Sequence, residues 1–297
     1  MSLIECIPNV SEGRRPEVVA ACASAIEAAG ALLLDSSSDV DHNRSVFTFA
    51  GTPPVVAAAV YALVDVAIRT IDLRTHRGVH PRLGAVDVVP FVPLGDATLE
   101  DCAHVAREVG ATVAERFGLP VYLYGAAASA PYRRGLEHVR RGQFEGLAHK
   151  MRLPEWAPDF GPGTPHETAG AAVLGARPPL IAFNVNLATD RLDIAKAIAA
   201  EVRQSSGGLP SLKALGLPLP ARGQVQISMN LTDFRETSLE RAFQAVADGA
   251  AHRGVHIASS EIVGLVPAEA LRPRAQRQWN WRPFGRNCSS KSNCSTG

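Results

Sequence analysis

The chain has 297 residues, 46% hydrophobic and 20% charged, and its 30 basic and 29 acidic side chains give a formal net charge of +1. This is enough apolar material for a sizeable core in one or two domains, and the charge balance provides no field to gather nucleic acid or anionic lipid. Three of the five cysteines, Cys6, Cys22 and Cys102, stand among apolar residues and read as buried hydrophobes of a reducing compartment.

In chain order, LIECIPNV reads as a short strand ending at Pro8, and SEGRRPEVVAACASAIEAAG as a helix stopped by Gly30. ALLLDSS is a strand running into an acidic loop, and RSVFTFAG another strand. TPPVVAAAVYALVDVAIRTI is a helix with Thr52 as the expected cap and prolines in its first turn. Its apolar run is shorter than the roughly 20 residues a bilayer span needs, and MSLIECIPNV has no basic leader. The expectation is therefore a cytoplasmic protein with no membrane partner. VDVVPFVPL is a strand, TLEDCAHVAREVGATVAERFG an amphipathic helix capped by Thr98 with Asp101, and LPVYLYG a strand. SAPYRRGLEHVRRGQFEGLAHK is a basic helical patch, followed by an irregular Pro/Gly-rich stretch of the kind that carries function or links domains. From Leu180 a second unit begins: strand PLIAFNVNLAT, helix DRLDIAKAIAAEVRQSSGG, two strands, helix SLERAFQAVADGAAHRG and strand VHIASSEIVGLVP. The tail, 273–297, has no periodicity and reads as disordered. The rhythm predicts an α/β class, an α+β sandwich of two subdomains with mixed or antiparallel sheets.

Four polar stretches are candidates for chemistry. In HRGVHPRL, His76 and His80 lie four apart, but Gly78 and Pro81 argue against a helix and no third ligand follows at zinc spacing, so no metal is expected. A loop feeding a rigid strand suits a catalytic imidazole, and Arg77 and Arg82 are of the type that binds carboxylates; a solvated basic turn is the alternative. In SSSDVDHNRS, Asp39, Asp41, His42, Asn43 and Arg44 are candidate substrate contacts or simply an Asx-rich turn. PNVSEGRR offers an anion seat at a helix start, or ordinary capping by Ser11. In WAPDFGPGTPHETAG, Trp156 and Phe160 can border a flat heteroaromatic ligand, or pin a linker. Finally, Asn184 and Asn186 share one strand face, and Gln224, Gln226, Ser228 and Asn230 another; each is a pocket wall or a wet sheet face.

Taken together, ECIPNVSEG, DHNRSVFTFAG, HRGVHPRLGAVDVVPFVPL, PVYLYG, EWAPDFGPG, IAFNVNL, QISMNLTDF and SEIVGLVP stand in an order that resembles the glutamate formimidoyltransferase family. The resemblance implies two α/β subdomains, 1–179 and 180–272, with a folate cleft between them and no cyclodeaminase domain. It implies transfer of the formimidoyl group from N-formimidoyl-L-glutamate to N5 of tetrahydrofolate, the co-substrate, with no metal required. It places the catalytic histidine of the family's HPR motif at His80. It places the folate-binding loop at Gly161, Pro162, Gly163, Thr164, Pro165, His166, Glu167, Thr168, Ala169 and Gly170, behind Trp156 and Phe160. The donor's carboxylates then need cations such as Arg44, Arg77 and Arg82, and the pterin's edges need amides such as Asn184, Asn186 and Gln226. A homodimer is possible. The alternatives are a related folate enzyme using N-formylglutamate or ATP, and, more remotely, a nucleic-acid-binding protein suggested by the basic patch and tail.

Overall fold

Alternating apolar residues pair into two separate sheets in the computed structural model, which describes residues 2–271; the expected disordered tail lies outside the described residues. The first sheet contains β1 (Leu3–Cys6), β2 (Asn9–Val10), β3 (Leu32–Asp39), β4 (Arg44–Gly51), β5 (Val86–Leu94), β6 (Val121–Gly125) and β7 (Ala172–Ala176). β1 and β2 both lie antiparallel between β4 and β5, because Pro8 interrupts one edge-to-edge path. β7 sits parallel between β5 and β6, and β3 forms the far edge on β4. The sheet is therefore mixed, as the strand–helix rhythm predicts.

Three helices, α1 (Pro16–Ala28), α2 (Pro53–Thr70) and α3 (Leu99–Phe117), cover one face of this sheet and bury its main core. α2 contributes Val56, Val60, Leu63 and Val64, all fully buried; each such side chain is worth about 1.5–3 kcal/mol when removed from water. α3 starts on a complete capping box. The Asp101 N–H donates to Thr98 Oγ1 at 3.1 Å, and the Thr98 N–H donates to Asp101 Oδ2 at 2.8 Å.

Two capping expectations are corrected. Thr52 occupies the cap position of α2 without a side-chain bond. Ser11 does not cap α1; its hydroxyl donates to Gly84 O at 2.7 Å. The Glu12 carboxylate instead takes the N–H groups of Arg14 and Arg15 at 2.8 and 2.9 Å, filling the proposed anion seat with the chain's own acid.

The opposite face of the first sheet carries a smaller cluster around Leu83, Tyr122, Tyr124 and Val173. α4 (Leu136–Val139) and α5 (Gln143–Lys150), formed from the basic patch, pack there.

The second sheet is fully antiparallel in the order β11 (Ile257–Val263), β8 (Ile181–Leu187), β10 (Gln224–Leu231), β9 (Leu212–Leu219). Odd-numbered positions Phe183, Val185, Ile227 and Met229 pack under α6 (Leu192–Val202) and α7 (Leu239–Ala251). Strand alternation then sends Asn184, Asn186 and Gln226 to the other face.

Candidate active site

A pocket opens between the two sheets. From the first it is lined by Ser37, Ser38, Asp39, His42, Arg44 and Val46, and from the second by Asn184, Glu261, Ile262 and Val263. The acidic turn and the HRGVHPR loop meet beside it because the chain leaves no room for side chains at one crossing. A Cβ on Gly78 would come within 2.2 Å of His42 O. Asn43, held at φ 48°, ties the crossing: its Nδ2 donates to Arg77 O at 3.0 Å and its Oδ1 accepts the Gly13 N–H at 3.0 Å.

The two histidines of the motif have different environments. His76 is buried with both ring nitrogens engaged. Nε2 donates to Asn43 O at 2.9 Å, so Nδ1 is the acceptor, and it takes the Arg82 Nε–H at 3.1 Å. Burial depresses its basicity, and the Arg82 charge adds to that. His80 is partly exposed. Its Nδ1 faces the Pro81 carbonyl at 2.8 Å and must be the protonated nitrogen, which leaves the lone pair on Nε2 without a partner among the described residues. Burial, then the charges of Arg44 and Arg140, hold the imidazole well below the usual histidine value. It is a neutral base of fixed tautomer. His42 stands beside it, ring centroids 5.7 Å apart, with its own Nε2 buried and unpartnered.

The cations near His80 form a buried set. Arg44 Nη1 donates to Asp87 Oδ2 at 2.6 Å, Arg140 Nη2 donates to the same oxygen, and Arg44 Nε donates to Asn9 Oδ1 at 2.9 Å. Burial alone would raise Asp87, but Arg140 and Arg44, with the Leu83 N–H on its other oxygen, bring it down to about 2. Two guanidiniums share one carboxylate, so the set keeps one positive charge for an anion to answer.

The remaining residues singled out in the sequence fall into distinct places. Asp39 takes the His42 N–H at 2.8 Å and Arg222 Nη2 at 2.8 Å, and Asp41 takes the Ala221 N–H at 2.8 Å. This pair latches the first sheet's turn to the tip of the β9–β10 hairpin. Arg77 lies exposed, bonded to the carbonyls of Arg74 and His76. Arg82 is buried and spends both terminal nitrogens on Glu145 at 2.8 and 3.0 Å. On the second sheet, Asn184, Asn186 and Gln226 are buried, Ser228 is half-buried and Asn230 is exposed. Gln226 Nε2 donates to Asn186 Oδ1 at 2.9 Å, and Asn186 Nδ2 to Ser259 Oγ at 2.9 Å.

The 156–170 loop is anchored at both ends and exposed between. Arg133 fastens its start, donating to Asp159 and to the carbonyls of Glu155 and Ala157 at 2.7–2.8 Å. Its end is fastened by a reciprocal His166–Gly170 backbone pair at 2.9 Å, and by Leu73 and Ala85 N–H groups on Thr168 O and Ala169 O. Gly161, Pro162, Gly163, Thr164 and Glu167 are exposed, and Pro165 is half-buried. Trp156 and Phe160 are not brought together: Trp156 packs with the Tyr122 cluster under Lys150 Nζ, 3.7 Å from its ring, while Phe160 packs into the helix-covered core.

Sequence reading missed Asp87, Arg140, Asn9 and Glu261. Asp87 carried a signal: an acid inside an otherwise apolar strand is rarely buried without a partner. The other three carried none, since their partners are distant in sequence.

The comparisons agree with this architecture. The formiminotransferase domain, N-terminal subdomain, matches residues 3–177, and the formiminotransferase domain matches 182–278. A glutamate formimidoyltransferase of Streptococcus pyogenes serotype M1 is 45% identical over 270 residues, 91% of this chain and 90% of that one. One of Thermoplasma acidophilum is 46% identical over 274 residues, with the same coverage of each. The formimidoyltransferase-cyclodeaminase of Sus scrofa is 40% identical over 276 residues, 91% of this chain, which spans 51% of that longer protein. The chain belongs to the formiminotransferase family.

Proposed function

We propose that the inter-sheet pocket moves a formimidoyl group from N-formimidoyl-L-glutamate to N5 of tetrahydrofolate, with the first sheet and its helices, 1–179, and the second, 180–272, acting as the two subdomains. The observation that carries the reading is His80: neutral, with its tautomer fixed and its lone pair free, beside a buried pair of guanidiniums with one charge to spare.

In the reaction the N5 lone pair attacks the formimidoyl carbon, and His80 Nε2 takes the N5 proton. The tetrahedral adduct N5–CH(NH2)–NH–R results. The same imidazolium returns its proton to the glutamate nitrogen as the C–N bond breaks, giving 5-formimidoyltetrahydrofolate and L-glutamate. No proton is gained or lost overall, and one histidine serves as base and then acid. Arg44 lines the pocket and answers a donor carboxylate. Arg77 and Arg82 contribute less to that anchoring, one being exposed and the other engaged by Glu145. The 161–170 loop covers the folate, and the amides of the second sheet face its polar edges. The scheme calls on no metal, nucleic acid or membrane, and is that of a cytoplasmic enzyme of one-carbon metabolism and histidine degradation.

The test is direct. Purified protein is mixed with N-formimidoyl-L-glutamate and tetrahydrofolate, and 5-formimidoyltetrahydrofolate is followed with and without ATP. Turnover without ATP is the expected result; no turnover, or turnover only with ATP, contradicts the reading.

A further inference from the structure

We propose that Glu261 makes this pocket select a cationic formimidoyl donor over the neutral formyl donor that differs from it by one atom, NH for O; the inference rests on the transferase reading above. Two carboxylates line the pocket, Asp39 and Glu261. Asp39 is occupied on both oxygens, by the His42 N–H and by Arg222. Asp41 does not line the pocket and already lies against the hairpin tip. Glu261 forms no ion pair with any described residue. Its Oε1 receives Asn184 Nδ2 at 3.2 Å and Gln226 Nε2 at 3.3 Å, and its Oε2 takes no described donor. The amides that hold it are themselves buried and cross-linked, so the carboxylate is aimed without being neutralised.

The donor's chemistry answers this arrangement. A formimidoyl group on an amine nitrogen is an amidine, a strong base that is cationic and planar near neutral pH. Its two nitrogens present N–H donors in the same fork that lets a guanidinium grip a carboxylate. A formyl donor is a neutral amide and sets a carbonyl oxygen in place of one of those donors. Facing Glu261, that oxygen meets lone pairs and leaves a carboxylate unanswered. Shape alone separates such close analogues poorly, whereas a hydrogen-bonding site rejects the analogue that lacks the donor. Pairing with Glu261 also keeps the amidine protonated, which keeps its carbon electrophilic toward N5.

The experiment compares wild type with Glu261→Gln and Glu261→Asp at saturating tetrahydrofolate. N-formyl-L-glutamate is scored both as donor and as competitive inhibitor, and formamidinium chloride as a competitor of the donor. In Glu261→Gln, kcat/KM for the formimidoyl donor should fall about 10- to 100-fold, the usual worth of one charged hydrogen-bonded pair. Binding of the formyl compound should hold or improve, formamidinium should cease to compete, and the tetrahydrofolate KM should stay within about 2-fold. Glu261→Asp should keep part of the discrimination. The proposal is overturned if Glu261→Gln keeps the wild-type preference, or if binding of both donors and thermal stability fall together, as expected of a residue that only ties the amide network. Wild type that transfers neither group overturns the transferase reading as well, and is told apart because it appears before any substitution is made.

Discussion

The 76–82 loop and the 156–170 loop border the same region of the molecule and are held in opposite ways. The first is fixed along its length: His76 by two ring hydrogen bonds, Gly78 by a carbonyl that leaves no space for a Cβ, Arg82 by Glu145, and His80 by its own Pro81 carbonyl. The second is fastened at Asp159 and at 166–170 and exposed over 161–164. Proton transfer needs a base set within a few tenths of an ångström, and its supporting charges must be desolvated to act strongly. Covering a large flat ligand needs backbone that can approach and adjust. The difference predicts a kinetic split: damage to the first loop shows in kcat, and damage to the second in the KM for tetrahydrofolate.

The largest break should come at His80. His80→Asn keeps a polar side chain but removes the base, and should lower kcat by about 10²–10⁴ with tetrahydrofolate binding nearly unchanged. Steady-state rates paired with folate titration measure this; near-normal turnover in a folded variant would falsify the assignment. Asp87→Asn comes next, and acts on stability as well. It leaves Arg44 and Arg140 without their shared anion and should cost about 3–5 kcal/mol in denaturant melts at neutral pH. Because Asp87 is held down at about 2 against an ordinary 3.8, its stabilising effect is complete above the ordinary value and disappears as pH falls toward about 2. The gap between wild type and variant should therefore narrow in melts run at progressively lower pH. A gap independent of pH would contradict the ion-pair account.

On the second loop, Gly161 sits at φ 86°, and a Cβ there would lie 2.9 Å from Leu119 O. Gly161→Val should raise the tetrahydrofolate KM by about tenfold through that strain, with kcat and the donor KM close to wild type. Equal loss toward both substrates would show that this loop does not serve folate in particular. The smallest effect should be His76→Asn. It removes two internal bonds but no reacting group, and a fall in kcat of about 2- to 5-fold is expected from a shifted loop. A loss matching that of His80→Asn would place both imidazoles in the chemistry.

Legibility in the sequence followed the range of the interactions involved. Local ones were readable: the Thr98–Asp101 cap of α3, and the alternation that puts Asn184, Asn186 and Gln226 on one strand face. That this face is buried was not readable, because it depends on a second sheet meeting it. His80 was singled out by Pro81, Arg82 and the family resemblance, while its lowered basicity comes from Arg44 and Arg140, far away along the chain. Arg140 sat in a patch that suggests nucleic acid by composition, although its charge is turned inward onto Asp87. The Asp39 and Asp41 carboxylates looked like substrate contacts and are bonded to Arg222 and Ala221, about 180 residues later, a pairing that no local pattern announces.

The central claim is that His80 works as a neutral base kept so by burial and by the neighbouring guanidiniums, and the pH dependence of kcat/KM for formimidoylglutamate tests it most directly. A histidine lowered in this way loses activity only when pH falls through its depressed value. The account predicts an acid limb centred below the ordinary 6.5, unchanged in His76→Asn and shifted upward when Arg140→Gln removes one of the charges. An acid limb at or above 6.5 in wild type, or one that moves with His76 and ignores Arg140, would contradict it.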